Sequence, residues 1–211
     1  MPSARTMPPT GGARRRPKRE DVRRDLLEAA ARVFARRGID GASLDDVAAE
    51  AGYTKGAVYS NYGSKKGLID AVVSDRSSNI LEFGVDAAAS QPGSIAEKGR
   101  ALGDRLDATR SDQRDWLLLY LELWQRAVRD ETMADEFRSH HGGNLDQISS
   151  VVRAQLDVSG AAVDFTPREL AVVISALTTG MAMEATISPD EVPPGLHGRV
   201  LSRIVAPSAE R

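Results

Sequence analysis

The stretch Leu44-Asp-Asp-Val-Ala-Ala-Glu-Ala-Gly-Tyr-Thr-Lys-Gly-Ala-Val-Tyr-Ser-Asn-Tyr-Gly63 predicts two short helices joined by one tight turn. Ser43 can cap the first helix, and Asp46, three residues later, completes a capping box. Gly52 stands where the chain must bend, because glycine adopts a positive φ at little cost. Apolar Val58 can fill the angle between the helices. This spacing is typical of a helix-turn-helix.

Three lysines stand at helix beginnings within and just after this stretch. Lys55 lies in the first turn of the second helix, and Lys65 and Lys66 follow Ser64, which can cap the next helix. The helix dipole disfavours a cation there by about 0.3–1 kcal/mol. A phosphate bound at the helix start would turn this misfit into complementarity. We therefore expect DNA, rather than folding, to account for these lysines.

The composition is that of a soluble helical protein. The 211 residues are 41% hydrophobic and 5% aromatic, and the absence of cysteine excludes disulfides, thiol catalysis and cysteine–zinc sites. The longest apolar run, residues 116–121, is far too short for a membrane span, so no membrane partner is expected. The N-terminus lacks the apolar segment of a secretory signal. These features favour a cytoplasmic protein.

The net charge of −2 hides an asymmetry between the two ends of the chain. Residues 1–66 hold 14 Lys and Arg against 8 Asp and Glu, a net charge of +6. Residues 67–211 hold 14 against 22, a net charge of −8. A basic front suits a polyanion, and an acidic rear discourages non-specific wrapping on DNA.

Three runs resemble a known family. They are Arg24-Asp-Leu-Leu-Glu-Ala-Ala-Ala-Arg-Val-Phe-Ala-Arg-Arg-Gly38, the stretch 43–62 with its two helices, and Ser64-Lys-Lys-Gly-Leu68. In order and spacing they closely resemble the N-terminal domain of TetR-family transcriptional regulators, over roughly a quarter of the chain. Two positions depart from the family pattern: Tyr62, where Phe is more frequent, and Gly67, where an acidic residue is common. We expect both departures to matter little.

The whole chain predicts an all-α protein of nine helices in two domains, with no strand. A disordered basic arm (1–20), either inert or adding phosphate and minor-groove contacts, precedes a three-helix DNA-binding domain (21–66). A larger helical domain for ligand binding and dimerisation (67–206) and a short tail (207–211) follow. The remaining helices are predicted at 21–37, 64 to about 90, 94–109, 112–129, 131–157 with a possible break at Gly142-Gly143, 167–187 and 195–205.

The residues expected to contact DNA lie on the outer face of the second helix and at helix starts. Gly56 and Ala57 are small enough to approach base edges, and Lys55 can reach a guanine edge or a phosphate. Tyr62 has an alternative role in core packing, and the whole set has the alternative of a solvated helix face. The predicted contacts are Ser43, Thr54, Lys55, Gly56, Ala57, Tyr59, Ser60, Tyr62, Lys65 and Lys66.

The resemblance implies a small-molecule pocket and a homodimer interface in the rear domain. Aromatic residues at helical spacing can line a pocket for an apolar or amphipathic ligand, but they are also typical of a plain core. The candidate pocket residues are Phe83, Trp116, Tyr120, Trp124, Met133, Phe137, Met181 and Met183. Helix 167–187 is apolar around most of its girth and so favours a subunit interface. The candidate interface residues are Ala171, Ile174, Ser175, Thr178, Met181, Leu196, Val200 and Ile204.

Other chemistries find little support in the sequence. His140 and His141 are adjacent, so they do not face one way on a helix, and no Cys or obvious carboxylate set accompanies them. No metal site, cofactor or enzymatic activity is expected, since glycine-rich phosphate loops, nucleophile elbows and zinc-protease motifs are absent.

We expect a repressor that binds a palindromic operator as a dimer and is released by a small ligand, with the helix that begins at Ser64 transmitting the change. The alternatives are a ligand-independent DNA-binding protein with a filled rear core, and an interaction module that no longer binds DNA.

Overall fold

The computed structural model describes residues 18–76, 93–109 and 114–206, and these ranges contain nine α-helices and no strand. The all-α prediction is confirmed. Residues 1–17 and 207–211 lie outside the described ranges, as does the predicted helix beyond residue 76 with Phe83. The helices are α1 (Arg19–Gly41), α2 (Leu44–Ala51), α3 (Lys55–Tyr62), α4 (65–76 in its described part), α5 (Ile95–Ala108), α6 (Arg114–Arg129), α7 (Glu131–Ser159), α8 (Pro167–Ile187) and α9 (Leu196–Ile204).

The front core is built by α1 to α4 and completed by α6. Phe34 of α1 and Val58 of α3 are fully buried in it, and α4 adds Leu68 and Val72. Leu119 of α6 belongs to the same cluster and is 0% exposed. Leu68 and Val72 therefore pack with the helices before them, and Leu119 joins this packing to the rear.

A close backbone approach joins α5 to α9. A Cβ atom at Gly103 would lie 2.5 Å from the Cα of Gly198 and 2.6 Å from the carbonyl carbon of His197. A Cβ at Gly198 would lie 2.6 Å from the carbonyl oxygen of Arg100. Since real Cβ contacts are longer, only glycine permits this packing. The sequence pattern predicted both helices but not their contact.

The helix α7 is continuous from Glu131 to Ser159, so the possible break at Gly142-Gly143 does not occur. Both glycines face open space, with no atom within 4 Å of a Cβ built there. Their cost to the helix, about 1 kcal/mol each, is offset by packing elsewhere along α7. Asp130 caps the beginning by accepting hydrogen bonds from two backbone N–H groups, and Gly160 ends the helix with a φ of 62°.

The helix α8 begins as predicted and presents two different faces. Thr166 and Glu169 form a capping box, with Pro167 as the first helical residue. The inner face buries Leu170 and Ala171, while the outer face exposes apolar side chains: Val172, Met183 and Ile187, the last 82% exposed. Among the described helices, α8 alone is long and apolar enough to span a membrane, and only 17% of its most apolar window is buried.

Candidate DNA-binding surface and ligand cavity

The α2–turn–α3 unit has the predicted local structure. The hydroxyl of Ser43 accepts a hydrogen bond from the Asp46 N–H at 3.1 Å, and the Asp46 carboxylate accepts one from the Ser43 N–H at 2.9 Å. Gly52 takes a φ of 73° at the turn. Val58 is 0% exposed and fixes which face of α3 points inward. The opposite face of α3 is therefore presented to solvent.

Five of the predicted contacts share this outward face of α3. Lys55, Gly56 and Ser60 are exposed, Ala57 is half-buried, and Tyr59 is 47% exposed. Thr54 caps the helix by accepting from the Ala57 N–H at 3.3 Å, which occupies one lone pair of its hydroxyl. The small residues at 56 and 57 leave a shallow surface between Lys55 and Tyr59. This shape allows close approach to a groove.

The ammonium of Lys55 has a protein partner on this surface. Its Nζ donates to the Asp45 carboxylate at 2.9 Å and lies 5.8 Å from the centre of the Tyr59 ring. The hydrogen bond to Asp45 raises the pKa of Lys55, so this side chain stays charged at neutral pH. Both side chains of the pair are more than half exposed, and such pairs contribute little to folding stability.

The two lysines at the start of α4 also have protein partners. Lys65 is half-buried and donates to the Asp40 carbonyl oxygen at 3.4 Å. Lys66 donates to the Asp70 carboxylate at 3.1 Å and to that of Glu136 on α7. The expectation that folding gives no reason for these lysines is therefore wrong. The partners come from α4 itself, from α7 and from the end of α1, and only tertiary packing brings the last two to this helix start.

Tyr62 occupies the packing role that the sequence left open. Its ring packs against the front core, and its hydroxyl donates to the Arg23 carbonyl oxygen at 3.0 Å. The Arg23 guanidinium lies 5.6 Å above the ring, and burial raises the pKa of the Tyr62 hydroxyl. Gly67, treated as a minor departure, has a steric reason, because a Cβ there would collide with the Tyr62 carbonyl oxygen.

Ion pairs, which sequence reasoning missed, join α1 to the first helix of the helix-turn-helix, α2. The Glu50 carboxylate accepts from Arg36 at 2.6 Å and from Arg32 at 3.0 Å, while Arg37 donates to Asp46 at 2.7 Å. The hydrogen bonds from Arg36 and Arg32 lower the pKa of Glu50. The arginines at helical spacing on α1 were the available signal, since such a stripe facing two acids of the next helix predicts pairing.

The front unit is tied to the rear by Glu122 of α6, which the sequence also did not indicate. Both carboxylate oxygens of Glu122 accept from the Ile39 N–H at 2.9 Å, just after the helical φ/ψ pattern of α1 breaks at Gly38. Arg126, one turn along α6, donates to Glu122 at 2.7 Å and to the Asp40 carboxylate at 2.8 Å. The hydrogen bond from Arg126 lowers the pKa of Asp40. Together with the contacts of Glu122, it holds the end of α1 against α6.

A cavity of about 530 Å³ runs between α4, α5, α6, α7, α8 and α9. Its volume is typical of pockets that hold drug-sized ligands, so the rear domain is not a filled core. Of the predicted pocket residues, Trp116, Tyr120, Met133 and Phe137 line it. Trp124, Met181 and Met183 do not, and Phe83 lies outside the described residues.

One part of the cavity wall is a cluster of aromatic rings around Tyr120. The Tyr120 ring lies 5.7 Å from that of Trp116, 6.1 Å from Trp124 and 5.6 Å from Phe137, centre to centre. Burial raises the pKa of Tyr120 to about 12 and lowers that of His141, whose Nδ1 lies 3.3 Å from the Tyr120 hydroxyl. The aromatic stripe of the sequence therefore serves both as packing and as wall.

The two adjacent histidines separate as expected, but the expectation that no carboxylates accompany them is wrong. His140 faces Asp70, with its Nε2 3.6 Å from the carboxylate, and Glu136 lies one turn before it on α7. Potential metal-ligand atoms of these three residues lie within 4.8 Å of one another. The ammonium of Lys66 contacts both carboxylates and supplies the positive charge between them.

The residues predicted at the subunit interface fall on different faces. Ala171 is 0% exposed, and Ile174, Ser175 and Thr178 line the cavity, so these four residues of α8 point into the protomer. The remaining four are half-buried: Met181, Leu196, Val200 and Ile204. The sequence of a helix that is apolar on all sides does not reveal which side faces the core. The residues of α8 predicted for the subunit interface therefore include four that lie on its inner side.

Both parts of the chain match known families. Residues 26–72 match the model described as "Bacterial regulatory proteins, tetR family", and residues 96–207 match that described as "BetI-type transcriptional repressor, C-terminal". The second match covers more than half of the chain. The chain belongs to the TetR family of transcriptional regulators. Regulators of this family bind operator DNA, act as dimers and bind small molecules, and they are not enzymes.

Individual relatives within the family are distant. The chain is 26% identical to the HTH-type transcriptional regulator SrpR of Pseudomonas putida over 176 residues, which cover 82% of this chain and 78% of SrpR. It is 30% identical to the HTH-type transcriptional regulator AcrR of Shigella flexneri over 101 residues, 47% of each chain. The chain thus spans about half the length of this second relative.

Solved structures of other proteins share the fold over nearly the whole chain. A transcriptional regulator from Pseudomonas aeruginosa superimposes with a TM-score of 0.71 at 22% identity, covering 90% of this chain and 91% of its own. A complex of SmeT with triclosan gives 0.65 at 18%, covering 88% and 90%. A regulator from Saccharomonospora viridis in complex with choline gives 0.60 at 20%, covering 87% and 95%. At these identities the likeness shows the fold alone.

Proposed function

We propose that this protein is a repressor that binds a palindromic operator as a homodimer and is released by a small apolar or amphipathic ligand held in the rear cavity. The observation that carries the proposal is the set of helices that the two sites share. The helix α6 lines the cavity through Tyr120 and Leu123. In the same turn, Glu122 accepts a hydrogen bond from the Ile39 N–H and so holds the end of α1. Two neighbours with the same fold are complexes with small molecules, triclosan and choline, which supports a small-molecule ligand for this protein as well.

The outward face of α3 is the proposed reading surface. Lys55 and Tyr59 flank the small residues Gly56 and Ala57, so the helix can enter a major groove with Lys55 at a base edge or a phosphate. Thr54 and Ser60, with Ser43 and the lysines at the start of α4, would contact phosphates that position the helix. In a dimer the two recognition helices would reach half-sites about 34–36 Å apart.

The outer face of α8 is the proposed dimer interface, which moves the earlier assignment to the other side of this helix. Val172, Met183 and Ile187 form an apolar stripe there that is 43–82% exposed. Family membership favours a second copy as the partner of this stripe, rather than lipid. Ile187→Glu should convert the dimer to a monomer in sedimentation, whereas Val128→Glu, on α6 and 74% exposed, should leave it dimeric.

Release of DNA would follow from a change in the shared helices. A ligand shifts the equilibrium between two conformations only as far as it prefers one of them. The helix α4 carries Ile69 and Asp70 on the cavity wall and begins at the proposed phosphate contacts, so it provides a second route beside α6. We assign DNA binding to residues 21–72, ligand binding and dimerisation to the remainder up to 206, and the cytoplasm as the location.

Enrichment of genomic fragments by the purified dimer tests this function. We expect a palindromic sequence to be enriched, and Lys55→Gln to weaken binding to it and reduce the salt slope by about one unit per subunit. Arg203→Gln, which removes an exposed positive charge from α9, is the matched control and should bind like the wild type. No enriched palindrome at low salt would instead favour an interaction module.

A further inference from the structure

The cavity is elongated, and its charged groups gather at its two ends. It follows α7 from Met133 to Gln155, a separation of about 33 Å at 1.5 Å per residue. Between the ends the wall is mainly apolar, with Trp116, Ile148 and Ile174 among its residues. A ligand that fills such a space is long, apolar in its body, and polar where the wall is polar.

At the end nearest the front unit, each acidic group of the wall already has a cationic partner. Asp40 pairs with Arg126 at 2.8 Å, Asp70 pairs with Lys66 at 3.1 Å, and Glu136 pairs with Lys66 as well. Lys65 at this end donates to the Asp40 carbonyl oxygen, and its charge acts on the nearby Asp40 carboxylate. A cationic ligand entering here would have to displace one of these protein cations. This end therefore offers little electrostatic attraction to a positive charge.

At the opposite end, Lys98 has no carboxylate partner among the described residues. Lys98 of α5 donates from its Nζ to the Gln155 amide oxygen at 2.8 Å. Across the described part of the chain, no carboxylate oxygen lies within 4.0 Å of this ammonium, and the neighbouring Glu97 is turned towards Ser94, whose N–H donates to it at 2.7 Å. A half-buried ammonium on an apolar wall is poorly compensated by one neutral amide.

The pair formed by Lys98 and Gln155 is preorganised to bind an anion. Two hydrogens of the Lys98 ammonium remain for a ligand after the bond to Gln155. Because the Gln155 oxygen accepts from Lys98, its amide NH₂ group is left as a second donor at the same end of the cavity. Charge-assisted hydrogen bonds from such a pair to a carboxylate are about twice as strong as neutral ones.

We propose that the ligand of this cavity is an elongated amphiphile with a single anionic headgroup, bound with the headgroup at Lys98 and Gln155 and its apolar body along α7 towards the Tyr120 ring cluster. This inference rests on the proposed function, since it names the class of molecule that the repressor senses. It distinguishes this protein from the choline-bound neighbour, whose ligand carries a positive charge.

Binding of three probes that share a ten-carbon chain tests the proposal: decanoate, decanol and decyltrimethylammonium. Intrinsic tryptophan fluorescence reports binding, because Trp116 lines the cavity. The dimer should bind decanoate at least tenfold more tightly than decanol, and decyltrimethylammonium most weakly of the three. The proposal would be overturned by equal affinities for the three probes or by tighter binding of decyltrimethylammonium. It would also be overturned if decanoate showed no binding below 1 mM, a limit that corresponds to about −4.1 kcal/mol.

Variants locate the headgroup. Lys98→Gln should lose the tenfold preference for decanoate while binding decanol as before, and Lys98→Arg should retain it. Arg153→Gln, which removes an exposed positive charge from the same end of α7, is the control for long-range electrostatics and should behave like the wild type. Gln155→Glu would place a carboxylate against Lys98 and should weaken decanoate binding even if Lys98→Gln does not fold. An undiminished preference in Gln155→Glu, or in folded Lys98→Gln, refutes the headgroup site.

Operator binding, measured on the same preparations without probe, distinguishes a failure of the proposed ligand class from a failure of the proposed DNA-binding function. A protein that binds its operator but not decanoate retains the proposed DNA function and loses only the ligand class. A protein that binds decanoate without releasing its operator retains the headgroup site and loses the release mechanism.

Discussion

The carboxylate of Glu122 holds the end of α1, and its removal should have a measurable cost. In Glu122→Ala, the Ile39 N–H loses its only acceptor among the described residues, and an unsatisfied, partly buried donor costs about 1–3 kcal/mol. The lost pair with Arg126 adds only about 0–1 kcal/mol, because Arg126 retains the largely exposed Asp40 as a partner and is not left unpaired. We expect the free energy of unfolding to fall by about 1–4 kcal/mol.

Urea unfolding at a fixed protein concentration measures this change, since dimerisation makes stability depend on concentration. The corresponding fall in Tm is about 2–16 °C for a chain of this size. Glu28→Ala, which truncates an exposed glutamate of α1 with no polar contact among the described residues, is the matched control and should stay within about 0.5 kcal/mol of the wild type. If Glu122→Ala proved as stable as Glu28→Ala, the tie between α1 and α6 would contribute nothing.

Three further predictions concern the stability of the folded protein. Gly103→Ala should destabilise the protein by about 1–3 kcal/mol, because its Cβ would overlap the α9 backbone. Gly143→Ala, whose Cβ would lie in open space, should stabilise the protein by up to about 1 kcal/mol. Thermal unfolding of the two variants tests both expectations. Gly67→Ala should lower stability in the same assay, because its Cβ would meet a backbone carbonyl. Hydrogen bonds from the Ser43 hydroxyl and N–H lower the pKa of Asp46 below 3.8. This contribution is present above pH 3.8 and is lost as pH falls through the lowered pKa, so Asp46→Asn should flatten the acid limb of Tm against pH.

The parts of the fold that depend on local chemistry were predictable from the sequence. The capping boxes at Ser43 and Thr166 and the positive φ of Gly52 each involve residues within three or four positions of one another. Such signals survive in any tertiary context, because the bonds they make close within one turn of helix. The order of the helices and the helix-turn-helix followed from them.

The parts that depend on distant contacts were not predictable. The Gly103–Gly198 approach joins residues 95 positions apart, and the bond between Ile39 and Glu122 spans 83. Neither leaves a periodic pattern, since a glycine or a glutamate within a helix has many uses. The inner and outer faces of α8 were confused for the same reason. Its apolar residues surround the helix, and only the packing of α7 and α9 determines which side is buried.

The protein partners of the lysines bear on how the proposed operator contact works. Asp45 accepts from Lys55, and Asp70 with Glu136 accepts from Lys66, so a phosphate must compete with a carboxylate for each ammonium. The binding free energy gained from each phosphate is then the difference between a lysine–phosphate contact and the lysine–carboxylate contact it replaces, rather than the full value of a new contact. This competition should make the protein's attraction to DNA of arbitrary sequence weak, because such DNA offers only phosphates. The operator adds contacts between its bases and α3. Since Glu136 lies on the cavity wall and on α7, a ligand that moves α7 also alters how firmly Lys66 is held. The same carboxylates would thereby link the occupancy of the cavity to the phosphates available to α4.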